Sequence, residues 1–258
     1  MNLAEAKVFD GLEVRDGHSR FGQLDPSFAW RFLDPSQFAA ALDRRHLTDV
    51  RALVLGPRVT QPLSAGSSSP TLAAVRSLWV ESAMISVESL APEVETLVFE
   101  SLDDASWLDR SLSRWPLRAP SLRSLVIDTW GLTASTLRWL YEAEVPSLEA
   151  LHLGLGAAEY GADHSLDDLA PLFSGQLFRS LRELGLHFAD INRIHGNLLS
   201  ELSVAPLVRR LRTLDLRACW FEGTQSELDP AWVRDVDVRW DSEWIGPGEH
   251  VRYVPTIE

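Results

Sequence analysis

The sequence predicts an α/β solenoid: a single parallel sheet of about eight strands with helices and loops along its outer side. Three observations predict it. An apolar triplet at relative positions 1, 4 and 6 occurs eight times, at Val50/Leu53/Leu55, Val75/Leu78/Val80, Val94/Leu97/Phe99, Leu122/Leu125/Ile127, Leu148/Leu151/Leu153, Leu181/Leu184/Leu186, Leu211/Leu214/Leu216 and Val233/Val236/Val238. Successive copies start 25, 19, 28, 26, 33, 30 and 22 residues apart, a spacing that scatters around the roughly 20–29 residues of short solenoid repeats. Helix signals fill most later gaps, and strands alternating with helices require parallel pairing. One such unit cannot bury its own apolar face, whereas a stack can.

In chain order, residues 1–49 read as an N-terminal cap. Val8, Leu12 and Val14 suggest one strand, and Phe28-Ala29-Trp30-Arg31-Phe32 a second. Asp34-Pro35 then opens a helical spacing through Phe38, Ala41 and Leu42. The repeats occupy residues 50–241, interrupted after the first strand by Ser64-Ala65-Gly66-Ser67-Ser68-Ser69-Pro70, where loop composition replaces helix pattern. Helices are expected over 103–115, over 133–144 with Thr133 as cap, after Ser165 with its near capping box to Asp168, and over 192–204. Residues 242–258 lose the repeat and read as a C-terminal cap.

The stretch Leu211-Arg212-Thr213-Leu214-Asp215-Leu216-Arg217-Ala218-Cys219-Trp220-Phe221 carries the fullest pattern. Its L-x-x-L-x-L-x-x-C spacing resembles the leucine-rich-repeat superfamily. That resemblance implies a horseshoe with a concave sheet and, most often, non-catalytic recognition of a protein or peptide. The departure is at position 9, which reads Arg58, Ala83, Leu102, Trp130, Gly156, Ala189, Cys219 and Asp241, so the usual asparagine is missing throughout.

Composition narrows the classes. A formal charge of −13 argues against nucleic acid or an anionic membrane as partner and favours a basic protein or peptide. An acidic surface also serves solubility alone. One cysteine excludes an internal disulfide framework, and neither a signal peptide nor a membrane-spanning run is visible, so a cytoplasmic location is expected.

The outward strand positions form two columns. Position 5 reads Val54, Trp79, Val98, Val126, His152, Gly185, Asp215 and Asp237; position 7 reads Gly56, Glu81, Glu100, Asp128, Gly154, His187, Arg217 and Arg239. An exposed apolar strip rimmed by charge marks an interaction surface. The expected partner-binding residues are therefore Trp79, Val98 and Val126, with Glu81, Glu100 and Asp128 pairing basic groups, and His152 and His187 further along. Asp215 beside Arg217 and Asp237 beside Arg239 read as self-neutralising surface pairs.

No catalytic residue, cofactor or metal site is expected. Cys219 falls at the inward position 9, where a structural thiol is expected. His152 and His187 lie on neighbouring strands two residues out of step, about 8 Å apart by strand geometry, with no third ligand at suitable spacing. Two functions follow as expectations. One is a binding module, in a specific form an inhibitor or immunity-type protein that blocks a basic enzyme. The other is an accessory subunit that presents a peptide substrate to a partner enzyme.

Overall fold

Alternate residues of a strand face opposite sides, so the residues at positions 4 and 6 give each segment one apolar face. In the computed structural model these segments join one sheet of ten strands among the described residues: β1 (Leu12–Arg15), β2 (Ala29–Phe32), β3 (Ala52–Leu55), β4 (Ser77–Glu81), β5 (Thr96–Ser101), β6 (Ser124–Thr129), β7 (Ala150–Gly154), β8 (Glu183–His187), β9 (Thr213–Asp215) and β10 (Asp237–Arg239). The structure describes residues 12–15, 29–32, 52–55, 75–81, 93–101, 117–189, 198–217, 219 and 235–239, and of 12–15, 29–32, 52–55, 79, 81 and 101 the backbone alone. The Ser-rich stretch, the expected helix over 103–115 and the C-terminal cap lie outside the described residues.

Strand order follows chain order. β1 and β2 pair antiparallel, and every pair from β2 to β10 is parallel. The architecture is consistent with a leucine-rich-repeat-type solenoid. The count exceeds the expected eight because the two N-terminal strand signals extend the same sheet.

Leu53, Leu78, Leu97, Leu125, Leu151, Leu184 and Leu214 are register partners in one row, and Leu55, Val80, Phe99, Ile127, Leu153 and Leu186 in the next. From Leu78 onward both rows are buried. The last repeat departs from expectation by two residues. Val238, not Val236, pairs with Leu214, and Arg239 faces Asp215. A slip of two keeps the alternation of faces, so the apolar pattern tolerates either register.

Among the described residues, three helices cover the face that carries positions 4 and 6: α1 (Ala134–Tyr141), α2 (Leu166–Phe173) and α3 (Leu198–Val204). Thr133 caps α1, its Oγ1 accepting from Thr136 N at 3.0 Å. Ser165 and Asp168 close the capping box of α2, with Ser165 N donating to Asp168 Oδ2 at 2.8 Å. Leu137 and Leu140, Leu169 and Leu172, and Leu198 and Leu202 pack with the strand leucines in one core.

The entrance of each strand is tied to the repeat before it. The N–H groups at positions 2 and 3 of one repeat both donate to the position-2 carbonyl of the repeat before: Glu95 and Thr96 to Arg76, Arg123 and Ser124 to Glu95, Glu149 and Ala150 to Arg123, Arg182 and Glu183 to Glu149, Arg212 and Thr213 to Arg182. Position 2 alternates in charge from Arg76 to Arg182, and Arg123 Nη2 reaches Glu149 Oε2 at 2.8 Å. At position 9, Cys219 Sγ donates to Leu186 O at 2.9 Å. Gly156, another position-9 residue, sits at φ +70°, where an added Cβ would meet Trp130 O at 1.8 Å, so only glycine fits.

Candidate functional site

The helix-distal face carries positions 5 and 7, and it holds two groups of polar residues. The first is acidic. Register places Glu81 opposite Glu100 and Glu100 opposite Asp128, one strand apart, which is about 4.8 Å. Trp79, Val98 and Val126 form the neighbouring row.

The expected apolar contact strip is not exposed at Val98 or Val126. Val98 and Val126 are only 3% and 5% exposed, and Glu100 is buried as well. Asp128 is half-buried. In β7 every residue is buried, on both faces. The valines are therefore packed and give a partner no surface. Trp79 and Glu81 are placed by their backbone in the same two rows.

The second group spans β7, β8 and β9, and it overturns the expected separation of the histidines. His152 Nδ1 lies 2.9 Å from His187 Nε2. The 8 Å expectation measured backbone spacing, whereas both side chains reach over the strand position between them. That position is Gly185, the register partner of His152. A Cβ there would stand 2.1 Å from His152 Nδ1 and 2.6 Å from His187 Nε2, so the missing side chain is what lets the rings meet.

Their outer nitrogens are fixed too. His152 Nε2 is 3.0 Å from Glu183 Oε1, and His187 Nδ1 is 3.1 Å from Arg217 O. A carboxylate and a carbonyl accept, so both outer nitrogens carry the proton and donate. The ring planes are 11° apart with centroids 5.2 Å apart. That spacing is the 2.9 Å contact plus about one ring radius at each end, so the rings lie edge to edge.

Asp215 completes the group. It is fully buried and is not the solvated surface residue the sequence suggests. Arg217 Nε lies 2.9 Å from Asp215 Oδ1 and 3.0 Å from Oδ2, and the backbone N of Arg217 donates to Oδ1 at 3.1 Å. Burial pushes the carboxyl up, but the contacts with Arg217 and the nearby His187 together outweigh it and hold the group below its ordinary range. Burial is also the largest influence on His187, pushing it down to about 3, with His152 acting in the same direction. The ligand atoms of His152, His187 and Asp215 all lie within 4.8 Å of one another, so the expectation of no third donor is also corrected. His152 and His187, at 1% and 4% exposure, are not surface groups for a partner.

Sequence reasoning passed over Glu183, Gly185 and Asp215. The signal was in the columns, where His152, Gly185 and Asp215 are consecutive at position 5 with His187 two residues further along. A glycine between two long polar side chains is a vacancy they can share.

No protein-family model and no curated protein matches the chain. Among solved structures, the chain is similar to a Bacteroides fragilis protein from a structural genomics consortium, at 21% identity and a TM-score of 0.47. The match covers 72% of this chain and 58% of that one. No described helix is long and apolar enough to cross a membrane.

Proposed function

We propose that the protein is a non-catalytic binding module of the leucine-rich-repeat type, which takes a basic protein or peptide on the helix-distal face of its sheet. The observation that carries this reading is the acidic row of that face, in which the backbones of Glu81 and Asp128 stand one strand to either side of buried Glu100. The formal charge of −13 adds long-range attraction for the same class of partner and raises its rate of encounter. With Val98 and Val126 packed, recognition rests on charge and on Trp79, whose row borders the carboxylates.

The test is capture from native cell extract with wild type and with the double variant Glu81→Lys/Asp128→Lys, both shown to fold by circular dichroism. Wild type is expected to retain a basic protein whose association rate falls steeply with salt, and the variant to lose it. A partner that is acidic, or capture that survives both reversals, would overturn the reading.

A further inference from the structure

We infer that His152, His187 and Asp215 form a binding site for one transition-metal dication of the zinc class, which ties β7, β8 and β9 together. The inference goes beyond the proposed partner binding and uses different strands.

Glu183 and Arg217 O hold the N–H of each ring on its outer nitrogen. With both rings neutral, Nδ1 of His152 and Nε2 of His187 turn lone pairs toward each other at 2.9 Å. Two lone pairs at that distance repel, and a positive centre beside them relieves the repulsion. A proton on the line between them is one candidate and a metal ion beside that line is the other.

Two features favour the ion. A bridging proton engages two groups, but three donors converge, and Asp215 is the third. Each donor is also oriented from behind: His152 by the Glu183 carboxylate, His187 by a backbone carbonyl, and Asp215 by the guanidinium and backbone N–H of Arg217. Carboxylate and carbonyl partners behind ligating histidines are the usual outer shell of a metal site.

Two neutral imidazoles and a carboxylate match the preferences of Zn2+ and its first-row neighbours, and oxygen-seeking Ca2+ and Mg2+ are excluded by the nitrogens. Metal–nitrogen bonds of about 2.0–2.1 Å place the ion off the line between the two nitrogens. Small rotations of the rings and of Asp215 then close the triangle of donors. With His152 and Asp215 almost wholly buried, the ion would act as a clamp between repeats and not as a catalyst.

The test uses the full chain stripped with chelator and titrated with Co2+ alone. Wild type is expected to take up one Co2+ per chain with visible d–d absorption, to yield it to Zn2+, and to melt at higher temperature with Zn2+ present. His187→Ala is expected to lose the absorption. Glu183→Gln, which keeps all three donors, is expected to bind about 10–100-fold more weakly, and it carries the comparison if His187→Ala does not fold. Wild-type protein that takes up no Co2+ and shows no shift with Zn2+ would overturn the inference in favour of a shared proton only. Uptake that persists unchanged in both variants would overturn it as well.

Discussion

His152 Nδ1 and His187 Nε2 meet at 2.9 Å over the bare backbone of Gly185, although the two residues belong to different rows of the sheet. The contact depends on the absence of one side chain. Gly185→Ala would put a methyl within 2.1 Å of one nitrogen and 2.6 Å of the other, forcing the rings apart in a packed layer. We expect a loss of about 1–3 kcal/mol, as for other overpacked sites, measured by urea denaturation, together with displaced ring resonances of both histidines in NMR spectra. An unchanged midpoint and spectrum would show that the rings do not meet there.

Leu214 tests the repeat itself. It is buried in the row of Leu125, Leu151 and Leu184, and its register partner on β10 is Val238. Leu214→Ala is expected to cost about 2–5 kcal/mol, read from the shift in denaturant midpoint. A cost below about 1 kcal/mol, the size of a surface change, would contradict the register.

Stability should fall in mildly acidic solution through His164. Its Nδ1 donates to Leu132 O at 2.8 Å, and burial lowers its pKa from the ordinary 6.5, opposed by that carbonyl and by Asp168 and Asp163. The unfolded chain therefore takes the proton first. The contribution is complete above about pH 6.5 and is lost as pH drops from there toward the lower folded value. His164→Asn is expected to flatten the pH dependence of the denaturation midpoint in that window, and a variant with the wild-type slope would refute the assignment.

Cys219 separates a structural thiol from a nucleophile. It is buried and donates to Leu186 O. Ellman's reagent should react with the folded protein only at the rate of unfolding, and fully in denaturant. Rapid labelling of the native chain would reopen a chemical role.

Much of this architecture was legible in the sequence because it rests on local signals. The leucine rhythm set seven of the eight repeat strands in register, and Thr133 and Ser165 marked helix starts by chemistry that acts within a single turn. The same local rhythm could not choose between registers two residues apart, so β10 slipped without violating it.

By itself, then, the sequence determined a parallel stack with a leucine core and helices over one face, since period and capping act between near neighbours along the chain. Only the tertiary structure decided what lies on the other face. It packed Val98 and Val126 out of contact with solvent, sank Asp215 beside Arg217, and joined His152 to His187 across a glycine. Those outcomes depend on how far side chains reach between strands about 4.8 Å apart, and no spacing within one repeat encodes that reach.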